Sequence, residues 1–551
     1  MTSHPAQPAA ARPAGDARAG VPSGLAGGES SRNPLLGLWL AHGFTAAIAM
    51  WAVWFLTHLP AVRVPPTVAG PLILLVMGAV LVWSCARLGG GVIGWLAGLG
   101  GGVVAGVVNL LILGSKLVEQ PADLSQADAI GTLRPGAGLI AAGFLVLSGA
   151  IGAAAGAIGS RWARAQNEPV LARDAWLARL GMISAVAVAP LLLIGGLVTS
   201  TDSGMAVPDW PGTYGANMFL YPVALMADER IFLEHTHRLF GSLVGLTVLT
   251  LFIATLIVRP KARARALVGV IALVTLGIGA LVAHLGGSLG SGALFPILAG
   301  LGLIASAWLV RSFLRENAGE AAGALGVLVA LQGIAGGVRV TENALGYALL
   351  HGVGGQVVFA LAVCVGAMLS LGYQSSNEIA PEQGAVARRA RTLAIAALAC
   401  LFVQLVFGAM YRHLGSAHAL WSHVLFAFVV VIVAGIAGAT ATNKPEAEKS
   451  DASPVAPTPP VRWLRRFGMA AMVIVGVQFV LGWATLAAVT LREDRGAIPT
   501  ADQLADAPPI PVLEALITTS HQATGALLLA GITLTAVWAH RTARAQAPRV
   551  A

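Results

Sequence analysis

The chain has 551 residues, of which 56% are hydrophobic and only 11% charged, with a mean hydropathy of +0.78 and a formal net charge of +9 at pH 7. Soluble domains carry about 25% charged residues, so this composition excludes a soluble globular protein and places most of the chain in lipid. The basic pI near 10.1 does not point to nucleic acid, because the Lys and Arg residues are scattered through short segments between apolar runs, and no nucleic-acid partner is expected.

The first 34 residues are rich in Ala, Gly, Pro, Ser and Arg and read as a disordered cytoplasmic tail without the apolar region and cleavage site of a signal peptide. Fourteen apolar runs of roughly the ~20 residues needed to cross a bilayer follow. They lie at 35–56, 68–85, 92–113, 136–158, 180–199, 237–258, 266–284, 291–310, 321–338, 346–371, 392–411, 421–440, 467–489 and 516–538. With both termini cytoplasmic, 25 of the 34 Lys and Arg fall on the inner side, among them those of 259–265, 388–391 and 462–466. The positive-inside rule fixes that register. The expected class is all-α: a polytopic membrane protein with two pseudo-repeated four-helix bundles and about six extra transmembrane helices.

Four regions follow. Residues 1–34 form the tail, 35–175 an extra four-helix region without a polar cluster in the membrane, 176–371 a first bundle with an inserted hairpin at 266–310, and 392–540 a second bundle. A weak repeat supports the duplication. Gln332-Gly333 with Gly336-Gly337, followed by His351, echoes Gln478 with Gly482, followed by His521, and the helix bearing His237 parallels that bearing His423. Three cysteines (Cys85, Cys364 and Cys400) sit inside apolar runs as small core residues, with no metal-site or redox spacing.

His237, His351, His423 and His521 each stand in the outer end of an outward-to-inward span. A single membrane histidine is more simply an interhelical hydrogen bond. Four in a repeated context, projecting from facing helices, suit axial ligation of two haem irons: His237 with His351, and His423 with His521. Zinc would want a tetrahedral cluster, which the spacing does not offer. Glu234 lies on the His237 face of its helix, where a carboxylate can move protons, bind substrate or orient an imidazole; the plainer alternative is an interfacial acid paired with Arg238. His235 points about 200° away from His237 by the ~100° step of a helix and reads as a surface or lipid-interface residue. His284 ends a hairpin helix, His413 and His418 stand in a short outer loop within reach of a haem edge or propionate, and His4, His42, His58 and His540 carry no pattern.

The outer loop Thr201-Asp202-Ser203-Gly204-Met205-Ala206-Val207-Pro208-Asp209-Trp210-Pro211-Gly212-Thr213-Tyr214-Gly215 reads as a folded cap. Together with Glu234-His235-Thr236-His237-Arg238 it resembles the haem A synthase family, whose pattern is a Ser-Gly-x-x-x-Pro-Asp-Trp-Pro loop followed by a Glu-x-x-His-Arg helix start. Gln332 to Gly337 with His351, Gln404 to Ala409 with His423, and Gln478 with His521-Gln522 resemble its later helices, so the resemblance spans roughly 176–540.

The resemblance implies oxidation of a methyl group of haem O to the formyl group of haem A by successive hydroxylations. It implies His237 and His351, with Arg238 beside them, at the substrate haem, Glu234 as the catalytic carboxylate, and His423 and His521 as ligands of a haem b cofactor. The implied partners are haem O, the farnesyltransferase that makes it, the lipid membrane and an electron acceptor the sequence does not name; self-association stays open. The implied setting is a bacterial plasma membrane with the haem sites near the outer face. Many members carry a cysteine pair in the first outer loop; here Val207 and Thr213 stand at those positions, so no loop disulfide forms. The first four spans and the hairpin fall outside the family pattern. Two other readings remain: a quinone-linked di-haem b electron-transfer cytochrome, and a non-enzymatic haem carrier or oxidase assembly factor.

Overall fold

The computed structural model describes residues 34–88, 94–121, 130–165, 175–260, 263–375, 379–445, 457–490 and 498–545. Of the expected tail, residues 1–34, all but Pro34 lie outside the described residues, and Pro34 begins the first helix. Fourteen helices are long and apolar enough to cross a membrane, as the hydropathy pattern predicts. In chain order they are α1 (Pro34–His58), α2 (Pro66–Leu88), α3 (Gly94–Leu117), α4 (Ala137–Ala165), α5 (Ala175–Ser200), α6 (Glu229–Val258), α7 (Arg263–Leu285), α8 (Ser291–Leu314), α9 (Ala318–Glu342), α10 (Leu345–Leu369), α11 (Pro381–Leu414), α12 (Ala417–Thr442), α13 (Pro459–Thr490) and α14 (Val512–Arg544). Among the described residues there is no β-strand, and the protein is an all-α polytopic membrane protein. In lipid every backbone N–H and C=O must be paired within the chain, which is why apolar runs of this length close on themselves as helices.

The helices pack as three rings of four. α1, α2, α4 and α3 form one, α5, α6, α9 and α10 a second, and α11, α12, α13 and α14 a third. The hairpin α7–α8 lies along α9 on the outside of the second ring. Its outward side chains, such as Val268, Val282 and Leu303, are more than 60% exposed, as expected of a lipid-facing surface. The second and third rings meet where α14 packs on α5 and α10.

Different residues hold the first ring. A Cβ built on Gly98 would stand 2.2 Å from the Gly152 carbonyl, and one on Gly152 would stand 2.3 Å from the Gly98 carbonyl. Gly94 with Gly156, and Gly102 with Ser148, make the same approach one turn away, so α3 and α4 touch backbone to backbone in the small-xxx-small manner of membrane helices. This ring joins the second through Trp51, Trp54 and Phe55 of α1, whose rings stack or stand edge-on against Phe232 and Phe240 of α6. His42 pairs with the Ser84 hydroxyl at 2.8 Å in the ring's interior.

Two tight turns set the register of the central helices. α9 ends at Asn343 and α11 at Gly415, both left-handed, and α10 and α12 begin within two residues. A single left-handed residue is a usual way to end a helix and reverse the chain. Each turn therefore places a histidine of the returning helix beside the residue 19 positions earlier: His351 at Gln332 and His423 at Gln404.

Candidate functional site

The four outer-end histidines form two pairs. The rings of His237 (α6) and His351 (α10) face each other with centroids 6.0 Å apart and planes at 90°. Those of His423 (α12) and His521 (α14) lie 6.1 Å apart at 79°. Each pair thus joins the two returning helices of one ring.

Every one of these imidazoles rests on a glycine of the preceding helix. A Cβ added to Gly195, Gly336 or Gly408 would stand 2.9 Å from Cε1 of His237, His351 or His423, and one on Gly482 would stand 3.3 Å from Cε1 of His521. One turn before three of these glycines stand Gln332, Gln404 and Gln478; the fourth position is Leu191. His351 Nδ1–H donates to the Gln332 carbonyl at 3.1 Å and His423 Nδ1–H to the Gln404 carbonyl at 3.0 Å. A neutral imidazole that donates through Nδ1 keeps its lone pair on Nε2, the arrangement that readies a metal ligand. The Gln478 amide, 3.5 Å from His521 Nε2, marks that nitrogen as the acceptor in the fourth copy.

All four histidines open into one cavity of about 670 Å³ that runs between the second and third rings. Its volume lies in the range of sites that enclose a large organic ligand, roughly 300–1,000 Å³. The walls carry polar atoms without a protein partner: Oε1 of Gln332, Gln404, Gln478 and Gln522, and Oε2 of Glu234. Two metal–imidazole bonds of about 2 Å, each extended by roughly 1 Å from nitrogen to ring centre, separate two centroids by roughly 6 Å. Both observed separations meet that requirement, so the residues present fit a bis-histidine haem iron in either pair.

Glu234 belongs to the first pair alone. Asp228 caps α6 by accepting from the backbone N–H of Arg230 and Ile231, which starts the helix early enough to put Glu234 and His237 in its second and third turns. Glu234 is 3% exposed. Its Oε1 accepts from Arg238 at 3.1 Å while Oε2 is buried without a hydrogen-bond partner, and the residue lines the cavity, so the carboxylate is both the ion-paired acid and a cavity-wall acid. The remaining donors of Arg238 go to the carbonyls of Val207, Asp209 and Gly212. Arg238 lines the cavity, yet its guanidinium chiefly holds the outer loop to α6.

That loop is a folded cap. The Asp209 carboxylate accepts from the backbone N–H of Tyr214 at 2.7 Å and Gly215 at 2.9 Å, and the Tyr214 hydroxyl donates to the Ala206 carbonyl at 2.6 Å. Burial, aided by Asp228 and Asp209, pushes the Tyr214 phenol up to about 12, which keeps it a neutral donor. Thr213 pairs with His235 through Oγ1 and Nδ1 at 3.1 Å, and Val207 is fully buried. Hydrogen bonds thus hold both residues, since the Val207 carbonyl also accepts from Arg238. Trp210 folds onto α9, where a Cβ on Gly337 would meet its ring at 2.2 Å, and forms part of the cavity wall.

His235 corrects the sequence expectation of a surface or lipid-facing residue. It is fully buried, against Thr213 and the Tyr221 ring. The face of α6 opposite His237 meets the outer loop and α1 rather than lipid, and periodicity alone does not tell these apart. His413 and His418 stand in helix ends rather than a loop, in the last turn of α11 and the first of α12. His413 lines the cavity beside Gly352, whereas His418 is exposed. His284 is a clamp: Nδ1–H donates to the Leu289 carbonyl at 2.9 Å, and Nε2 lies 3.0 Å from Glu342 of α9. The sequence reading missed Gly195 and Gly408 as histidine seats, and missed Arg339 and Arg412 in the cavity wall. The recurring glycine one turn after Gln332, Gln404 and Gln478 was the available signal for the seats.

Residues 178–289 match the model of the COX15-CtaA family, described as cytochrome oxidase assembly protein. The matched segment holds α5, the outer loop, Glu234, His237 and α7, so one helix of the hairpin expected outside the pattern lies within the match. No curated protein and no solved structure matches the chain.

Proposed function

Taking a membrane protein of the cytochrome oxidase assembly family as the premise, we propose that this chain oxidises a methyl group of haem O to the formyl group of haem A. One observation carries the reading: two histidine pairs, each at bis-ligand separation, share one cavity, and among the described residues that line it there is one carboxylate, Glu234, which neighbours the first pair and keeps one oxygen without a hydrogen-bond partner.

In this proposal His237 and His351 hold the iron of the substrate, haem O, and His423 and His521 hold a haem b cofactor. When bound, the cofactor supplies one-electron transfer to an acceptor outside the chain. The chain's own residues do the rest. Gly336 and the Gln332 carbonyl turn His351 so that Nε2 meets the iron. Trp210, packed on Gly337, and Pro211 form part of the wall of the substrate cavity. The methyl group is oxidised in two successive two-electron steps, with water supplying the oxygen and the outside acceptor taking the electrons. Glu234 accepts protons released in them, while Arg238 fixes Oε1 and so the direction of the carboxylate.

The test is chemical. The chain is produced with a haem O supply in a host lacking haem A, and the extracted haems are identified by chromatography and mass. Haem A or its hydroxylated precursor supports the proposal. The near-identity of the two histidine seats favours a second reading, an electron-transfer cytochrome with two equivalent b haems. A folded, haem-loaded protein containing only unaltered haem O and haem b would establish that reading instead.

A further inference from the structure

Three arginines line the cavity: Arg238, Arg339 and Arg412. Two have partners. Arg238 bonds Glu234 and the loop carbonyls, and Arg412 bonds the Thr199 carbonyl and the Asp202 carboxylate, the latter at 2.8 Å. Arg339 makes no hydrogen bond or ion pair among the described residues. A guanidinium held within a membrane protein without an anion is costly, and the cost is removed when a carboxylate arrives.

The position of Arg339 is specific. It follows Gly336, the seat of His351, by three residues on α9, so it rises from the same helix face about one turn nearer the outer surface. Its guanidinium lies against the backbone of Gly204 in the outer loop, where a Cβ would come within 2.2 Å of Nη2. The seat exists only because residue 204 has no side chain. His413 approaches from the other side of the cavity, over Gly352, the residue after His351. Near the second pair the lining offers Gln404, Gln478, Gln522 and Trp483, and the arginine one turn beyond Gly408, Arg412, is already taken by Thr199 and Asp202.

We infer that Arg339, seated on Gly204, binds a carboxylate side chain of the macrocycle held between His237 and His351. The inference rests on the haem reading of that pair and deepens it. A haem carries its two carboxylates on one edge, so an arginine on one side of the first site fixes how the ring lies in its own plane. That orientation decides which edge of the substrate is presented to the rest of the cavity, Glu234 included. At the second pair the corresponding arginine, Arg412, is already paired with Asp202, and in this reading the cofactor there needs in-plane orientation less.

The experiment uses the purified full chain carrying His423→Ala, so that only the first pair binds, and follows haem-band absorbance on titration. The two probes are iron protoporphyrin IX with free propionates and its dimethyl ester. Arg339→Gln is expected to weaken the free acid at least about tenfold, as loss of a charge-assisted bond does, and to leave the ester unchanged. Arg339→Lys should recover part of the loss. Equal affinity of the free acid with and without Arg339, or an equal loss for the ester, overturns the inference. If Arg339→Gln does not fold, Gly204→Ala keeps every charge while displacing the guanidinium; it should show the same selective loss, and no selectivity would again overturn the inference. Failure of the underlying haem reading looks different: the Arg339-containing chain would bind neither probe, or would bind both unaltered after His351→Ala.

Discussion

The two histidine pairs share a scaffold and differ in what surrounds it. Both stand on returning helices, both set their imidazoles on glycines, and in both the short hairpin fixes a ring through a carbonyl 19 residues earlier. Among the described residues that line the cavity, only the first pair has a carboxylate beside it, a tryptophan of the loop from Thr201 to Gly215 against it, and an arginine without a protein partner. In the proposed reading, ligation belongs to the repeat and the chemistry belongs to additions made once, by the segment from Thr201 to Arg238 and by Arg339. A protein needing only two redox centres has no reason for that asymmetry.

The sharpest way to break the comparison is to remove one ligand from each pair. His351→Ala should abolish binding at the first site and spare the second, and His423→Ala should do the reverse. Haem content and absorbance spectra of the two purified variants report this directly. Identical spectra for both, or full haem content in either, would contradict the pairing. Next in size is Glu234→Gln, which preserves shape and removes the charge. Formyl product should fall by about 10²–10⁴-fold, the usual contribution of a positioned acid or base, with both sites still loaded. Normal turnover in that variant would remove Glu234 from the chemistry and leave it as the partner of Arg238.

The glycine seats allow a graded test. A methyl group at Gly336 or Gly408 must push the imidazole aside, because its Cβ would stand 2.9 Å from Cε1; at Gly482 the 3.3 Å distance is easier to absorb. Overpacking of this kind costs about 1–3 kcal/mol, or about 5–150-fold in haem affinity. Gly336→Ala should weaken the first site, Gly408→Ala the second, and Gly482→Ala the second to a smaller extent. A Gly482→Ala defect as large as that of Gly408→Ala would mean that the seats do not act through the imidazoles.

Much of this was legible in the sequence. Hydropathy locates fourteen spans that the described helices match, because the bilayer imposes a minimum length on any helix that crosses it. The four histidines and Glu234 stand out because ionisable groups are rare in such spans. What faces what is another matter. His235 read as a lipid-facing residue because a helix wheel does not distinguish lipid from a folded loop, and here Thr213, Tyr221 and α1 cover that side. Arg339 drew no notice because its meaning lies in an absent partner and in the missing Cβ of Gly204, both properties of three-dimensional packing. The glycine seats were half visible, as the recurrent Gln-x-x-x-Gly, and only the tight turns at Asn343 and Gly415 show why the spacing recurs.

The hairpin α7–α8 gives the smallest expected effect and sharpens the comparison from outside. It lies on α9, the helix that carries Gln332, Gly336 and Arg339, so it either supports the first pair or merely accompanies it. Its outer end is tied to α9 by His284 and Glu342, a pair whose carboxylate side chain is 32% exposed. Exposed pairs contribute about 0–1 kcal/mol. Packing along α8 and α9, not this contact, holds the hairpin in place. His284→Ala should therefore lower the unfolding temperature slightly and leave haem content, product formation and the spectra of both sites unchanged. A selective loss at the first site would show instead that the hairpin sets the position of α9, and the asymmetry between the two pairs would then include the insertion as well as the outer loop.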